Sequence, residues 1–274
     1  MKRRFTFLLI ALATLFVMPT LAQDAKPILA TVSYNGISFS YDPSLGAVLP
    51  QTFAEVPASA DTMPGTYWPA HTAFTFINSK EGDTMLNTDY YPELIIYKVA
   101  DITAYKDEMF TKALQDLNGL IEAGGAGDFS KYEQVPTDDT NLNLPHLPPL
   151  PADQTIRAQA EYLSISDGMG IRYLTSFASD VSPLTDDRII YTFQGATSQA
   201  KGDKPGYYIA LNYAIKTGVL PTEIPSDFDY NAFSNNYVKE MNAAIQKINA
   251  ADPNTFNPTL TALDELVKSI KIEG

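Results

Sequence analysis

The order in which strand-like and helix-like runs follow one another limits the fold of this chain more than any other feature. Runs rich in β-branched and aromatic residues come first, then an apolar pattern with helical spacing, then four more strand-like runs, and finally two helical patterns. Because most strand-like runs are joined by short connections, antiparallel pairing is favoured. The sequence therefore predicts an α+β fold, in which a largely antiparallel β-sheet has helices packed on one face.

Turn residues place the expected strands. Asn35-Gly36 separates two strand-like runs, at 28–34 and 37–41, and this dipeptide is typical of a two-residue type I′ hairpin. Asp167-Gly168-Met169-Gly170 marks a second hairpin inside an expected four-stranded meander. The expected strands outside the first hairpin cover 72–77, 93–99, 156–164, 171–178, 188–193 and 206–214.

Three helices and two irregular segments complete the expected elements. We expect one helix to begin at Asp101 as N-cap and to end at Gly124-Gly125, where glycine allows a left-handed C-terminal residue. The other two helices follow the apolar stripes of 230–248 and 260–270. The segment 50–69, rich in Pro, Thr and Ala, reads as an irregular connection, and 126–153 reads as a long proline-rich loop.

The first 22 residues have the three parts of a secretory signal peptide. Lys2, Arg3 and Arg4 precede an apolar run from Phe5 to Met18, and Thr20-Leu21-Ala22 offers small residues for cleavage before Gln23. The run is short for a membrane span, which needs roughly 20 apolar residues. The sequence thus predicts a secreted or extracytoplasmic protein, with residues 1–22 as signal peptide and 23–274 as a single domain. An uncleaved N-terminal anchor is the alternative.

Cysteine usage and charge narrow the possible classes. The chain of 274 residues contains no cysteine, so lipid attachment to a cysteine, disulfides and thiol catalysis are excluded. Its formal net charge is −13, and removing the basic residues at positions 2–4 would make it −16. Nucleic acid and anionic membrane surfaces are therefore poor partners, since both require basic patches.

Several short strings together resemble an uncharacterised family of exported bacterial domains, often found as lipoprotein ectodomains. They lie at 34–43, at 68–71 with Phe74 and Phe76, at 168–175, at 191–195 and at 206–208. The resemblance covers 32–220 and implies no activity and no functional residue. The order of strands and helices is also similar to the fold of the photosystem II extrinsic protein PsbP and the nuclear import factor Mog1, a likeness of fold that does not imply function.

The sequence indicates no catalytic, cofactor or metal site. The two histidines, His71 and His146, lie on different segments, whereas a metal site needs several converging ligands. No Gly-x-Ser-x-Gly elbow, phosphate-binding loop or dinucleotide motif occurs. Asp138-Asp139-Thr140-Asn141 offers oxygens to calcium but lacks the ordered spacing of a calcium loop, so a solvated turn is the simpler interpretation.

Arginine and aromatic residues supply the candidate partner-binding positions. Arg172 begins an apolar strand, where it is suited either to clamping an anion or to pairing with an acidic neighbour. The doublets Tyr67-Trp68 and Tyr207-Tyr208 belong to a residue class that binds sugars, peptides and proteins, although one ring of each doublet on a strand should face the core. The resulting candidates are Trp68, His71, Arg172 and Tyr207.

These features favour a non-enzymatic exported domain that binds a protein or a cell-envelope component. Two alternatives remain open. One is a hydrolase that acts on an envelope or extracellular polymer through carboxylates brought together by the fold. The other is a passive structural module. Two facing carboxylates in a pocket, or His71 bonded to a serine, would favour the hydrolase.

Overall fold

The fold is that of a computed structural model, which describes residues 28–59, 62, 66–77, 92–123, 128–135, 142–197 and 205–273. The predicted signal peptide, Gly124-Gly125 and Asp138-Asp139 lie outside these residues. The described strands are β1 (Ala30–Tyr34), β2 (Ile37–Tyr41), β3 (Ala47–Phe53), β4 (His71–Ile77), β5 (Glu93–Lys98), β6 (Asp153–Ile165), β7 (Gly168–Ala178), β8 (Ile189–Thr197), β9 (Tyr207–Ile215) and β10 (Lys271–Ile272). The described helices are α1 (Val99–Tyr105), α2 (Glu108–Glu122), α3 (Tyr230–Asn235), α4 (Tyr237–Ala250) and α5 (Leu260–Ser269).

Two antiparallel sheets form the framework, which confirms the α+β class. The large sheet has seven strands in the order β3-β4-β5-β9-β8-β7-β6, and the small sheet has the order β1-β2-β10. Every described strand pair is antiparallel, and β6 to β9 form the predicted meander. The first hairpin is confirmed too, because Asn35 and Gly36 both have positive φ, at 51° and 75°.

The helices cover both faces of the large sheet rather than one. On the first, which we call the α2 face, Phe110 and Leu117 of α2 pack against sheet residues such as Tyr97 and Tyr173. On the opposite α5 face, α4, α5 and the small sheet pack against sheet residues such as Phe193. Neighbouring residues of one strand point to opposite faces, so a sheet with two apolar faces needs a cover on each.

Three boundaries differ from the sequence predictions. Residues 47–53 form β3, although 50–69 was expected to be irregular. The helix expected from Asp101 is two helices, because Lys106 adopts a left-handed φ of 59° and Asp107 caps α2 by accepting from the N–H groups of Met109 and Phe110. Asp101 lies in the first turn of α1 and is not a cap. Asn236 likewise separates α3 from α4.

Candidate functional site

Two of the four candidate residues, Trp68 and His71, lie together at one end of the large sheet. His71 begins β4, and Trp68 forms an isolated bridge with Val56 just before it. Trp68 packs at the margin of the α2-face core, as does Phe53 at the end of β3, and the His71 ring lies 5.1 Å from the core residue Tyr97. Tyr207 packs on the α5 face, and Arg172 contacts α5, so these two residues do not join the group.

Phe53, Trp68 and His71 form a cluster of half-buried rings, here called the aromatic corner. The ring of His71 stacks on Phe53 with centroids 4.9 Å apart and planes 18° apart. Trp68 meets both rings edge-on, at 6.4 Å from Phe53 and 6.2 Å from His71. Such offset and edge-to-face arrangements are the favourable ones for aromatic pairs. Sequence reasoning missed Phe53 because Pro50 obscured the strand on which it lies.

Main-chain hydrogen bonds hold the aromatic corner in place. Cross-strand pairing in β3 and β4 sets Phe53 opposite His71. Val56 and Trp68 exchange two backbone bonds of 2.9 and 3.1 Å, and the Trp68 indole N–H donates to the Ala54 carbonyl at 3.2 Å. The Tyr105 hydroxyl donates to the Val56 carbonyl at 2.5 Å, which ties the corner to α1. The rings are therefore presented by an ordered backbone.

The His71 side chain is neutral near pH 7. Its Nδ1 lies 2.9 Å from the Pro69 carbonyl oxygen, and because a carbonyl only accepts, we assign the proton to Nδ1. Burial lowers the pKa of His71, while the bond to Pro69 opposes that shift. The Nε2 atom is then a neutral acceptor. The aromatic corner thus combines three rings, none of them charged, with a few polar atoms.

Arg172 is buried and paired within the chain. The side chain is 3% exposed, and one guanidinium nitrogen lies 2.6 Å from Glu161 Oε2. The same nitrogen lies 3.4 Å from an Asp264 oxygen, and a second nitrogen donates to the Gln159 carbonyl. Arg172 therefore links β7 to β6 and α5. A partner would reach it only after a carboxylate moved aside.

Glu161 and Asp264 face a common point, and the Arg172 guanidinium occupies it. Asp264 also accepts from the Tyr191 hydroxyl at 2.9 Å. Burial raises the pKa of the Asp264 carboxyl, although Arg172 beside it acts in the opposite direction. In a glycosidase the two carboxyls flank a sugar, and here an arginine lies in that place. The geometry is that of an ion-pair cluster, with Arg172 and Asp264 buried and the Glu161 side chain 60% exposed.

Part of the proline-rich loop packs against the sheet and does not form an open contact surface. We call residues 142–150 the strap; they pack on the α2 face. The side-chain oxygens of Gln154 and Gln194 accept from the backbone N–H groups of Leu144 and Leu147, both at 2.9 Å. The same two amides donate to the carbonyls of Leu144 and Leu147, at 3.5 and 3.4 Å. Each glutamine side chain thus makes the two backbone hydrogen bonds that a neighbouring strand would otherwise make with one strap residue.

His146 is the histidine of the strap. Its Nδ1 lies 3.0 Å from the Pro148 carbonyl oxygen, and its ring packs edge-on against Phe177 at 4.7 Å. Burial lowers the pKa of His146 to about 4, and the bond to Pro148 and the nearby Asn212 side chain only partly oppose this shift. Its Nε2 is buried, with no hydrogen-bond partner among the described residues. His146 and His71 therefore have separate surroundings.

In the described part of the chain, no group of three or more His, Asp or Glu side chains is placed to hold a metal ion. No helix among the described residues is long and apolar enough to cross a membrane.

Comparison with known proteins gives no relative. No family model matches the chain, no curated protein is significantly similar to it in sequence, and no solved structure matches its fold significantly. The resemblance to exported bacterial domains, and the likeness to PsbP and Mog1, stay predictions from the sequence.

Proposed function

We propose that the chain is an exported, non-enzymatic domain that binds a protein or cell-envelope partner through its aromatic corner. The observation that carries the proposal is the meeting of Phe53, Trp68 and His71 as half-buried rings on an ordered backbone. Large rings held in place lose little conformational entropy on binding, so their contact area contributes efficiently to affinity.

The buried arginines are paired within the chain, which supports a binding role over a catalytic one. Arg172 is matched by Glu161 and Asp264, and the Arg157 guanidinium donates to the carbonyls of Tyr132, Gln134 and Gln154 at 2.8–3.0 Å. Groups paired in this way within the chain stabilise the fold and are poor acids, bases or anion clamps.

The charge near the aromatic corner limits which charge a partner can carry. The Glu55 and Asp107 carboxylates lie near Tyr105, which is bonded to Val56 of the corner, so negative charge lies beside the corner. Burial, with a smaller contribution from these carboxylates, raises the pKa of Tyr105 to about 12. With a net charge of −13 for the whole chain, a neutral or cationic partner is favoured over an anionic one.

The proposal can be tested through Trp68, which is the single tryptophan of the chain. Its emission reports directly on the aromatic corner. We expect the emission to change on titration with peptidoglycan or with neutral envelope polysaccharide. An envelope protein extract, whose own tryptophans emit in the same range, is instead tested by retention on the immobilised domain. Phe53→Ala should weaken that binding about tenfold, as is typical for an aromatic anchor.

Val181→Ala is the matched control, because Val181 is an apolar residue that is 50% exposed and lies outside the corner. An unchanged Trp68 emission in every titration, or equal binding by Phe53→Ala and the parent chain, would contradict the proposal. Turnover of a polymer that is lost in Glu161→Gln would favour the hydrolase instead. Cell fractionation, with mass spectrometry of the mature N-terminus, tests export.

A further inference from the structure

A second cluster of rings lies in the segment that leads into α4. It combines the exposed ring of Tyr230 with two half-buried phenylalanine rings and exposed acidic side chains, and we call it the acidic aromatic patch: Glu223, Asp227, Phe228, Asp229, Tyr230 and Phe233. α3 has no fully buried residue, and Tyr230 is 54% exposed, the largest exposed fraction of any aromatic side chain described. The exposed Tyr230 ring, in contact with the half-buried Phe228 ring, therefore forms an apolar surface beside acidic residues.

Ring contacts hold the acidic aromatic patch together. Phe228 meets Tyr230 edge-on at 4.9 Å and Phe233 at 5.6 Å. Phe233 in turn meets Tyr237 at 5.8 Å, and these last two rings pack against the α5-face core. The inner rings therefore anchor the patch, and Phe228 and Tyr230 form its outer part.

Charge in this region has one sign. Between Lys216 and Lys239 the chain has no Lys or Arg, but it has three acidic residues. The Asp229 carboxylate accepts from the Ala232 N–H at 2.9 Å and so begins α3. No hydrogen bond or ion pair engages the exposed carboxylates of Glu223 and Asp227 within the described residues. The Asp227 carboxylate, which neighbours Phe228 along the chain, is thus available to an outside group.

We propose that the acidic aromatic patch binds a basic polypeptide segment, with a Lys or Arg side chain over Tyr230 and its charge facing Asp227. Cations are attracted to the faces of aromatic rings, and nearby carboxylates strengthen that attraction. The negative charge of the whole chain steers a basic partner toward the surface and repels acidic ones. This surface is separate from the aromatic corner and does not depend on the function proposed for it.

Binding of a fluorescein-labelled peptide of alternating Lys and Ser, followed by fluorescence anisotropy at low salt, tests the proposal. Tyr230→Ala should weaken binding about fivefold, and Asp227→Asn should weaken it by a similar factor. Tyr230→Phe keeps the ring and should bind like the parent chain. Acetylation of the peptide lysines, which removes their charge, should abolish binding.

Asp167→Asn is the matched control, because it removes the same charge from an exposed turn of another part of the surface. If it weakens binding as much as Asp227→Asn, only net charge attracts the peptide and the proposal fails. Unchanged binding by Tyr230→Ala would also overturn it. Trp68→Ala should leave peptide binding intact, so failure at one surface is distinguishable from failure at the other.

Discussion

At the scale of single residues, close packing restricts two positions where glycines face each other. Gly170 and Gly195 are cross-strand partners in β7 and β8, and the buried Phe193 ring lies over both. A Cβ atom would lie 2.7 Å from the Phe193 ring at Gly170 and 2.5 Å from it at Gly195. Only hydrogen fits beneath the ring, so these positions are restricted to glycine.

Gly195→Ala should lower the free energy of unfolding by about 1–3 kcal/mol, the usual cost of overpacking a core. Urea denaturation measures the change. In the double variant Gly195→Ala, Phe193→Leu, the smaller side chain makes room for the methyl group. The double variant should therefore lose less unfolding free energy than the two single variants lose together. Equal midpoints for Gly195→Ala and the parent chain would mean that Phe193 moves aside freely.

Residue patterns predict contacts between neighbours in sequence much better than contacts between distant segments. Trp68 and His71 were identified from one short stretch, and they do meet. Arg172 was correctly considered as a partner for an acidic neighbour, but its two carboxylates lie 11 and 92 residues away along the chain. The only sign in the sequence that Gln154 and Gln194 hold the strap is the presence of a polar amide inside an apolar strand.

At the scale of elements, the open edge of the large sheet has a specific safeguard. β3 is the end strand and pairs only with β4 among the described strands. Pro50 lies in the middle of β3, where it has no N–H to offer to an incoming strand. The opposite edge is protected differently: Glu133 accepts from the Ala160 N–H of β6 at 2.9 Å.

Pro50→Thr should promote self-association, because it adds an edge donor and a β-branched side chain to an exposed strand. Light scattering against protein concentration measures this effect. Gln51→Thr is the control, since it adds a similar side chain to the same strand without a new N–H group. Equal association of the two variants would show that Pro50 does not protect the edge.

Elements were predicted well where a turn residue marks their ends. Asn35-Gly36 located the first hairpin, and the meander followed from its turns. The breaks at Lys106 and Asn236 were missed because neither residue is a usual helix breaker, and the apolar spacing continues across both. Likewise, β3 was missed because its proline, which is tolerated on an edge, reads as a sign of irregular structure.

At the scale of the whole molecule, the free energy of unfolding should depend on pH because His146 is buried in the strap. Burial holds the pKa of His146 at about 4, against 6.5 for a free side chain. The unfolded chain therefore binds a proton below about pH 6.5 that the folded chain does not accept until about pH 4. This stabilising contribution is complete above pH 6.5 and is lost as the pH falls through that window, by about 3 kcal/mol at most.

Titration of the two histidines by NMR tests this prediction, with His71→Asn used for assignment. We expect His146 to stay neutral at pH 5, where a free imidazole is mostly charged. The pH dependence of unfolding in the parent chain, minus that in His146→Phe, should show the same loss. Burial raises the pKa of Glu93 and Asp264, which gives the opposite slope, so only the difference isolates the histidine.

The small sheet joins segments from opposite ends of the described chain. β10 adds to β2, the Glu273 N–H donates to the Gly36 carbonyl at 2.7 Å, and Ser269 exchanges two bonds of 2.9 Å with the backbone of Ser40. During synthesis the hairpin emerges early, yet its third strand is made more than two hundred residues later. The sheet stays incomplete until then, so the domain reaches its final structure only after residues 271–273 have joined the hairpin.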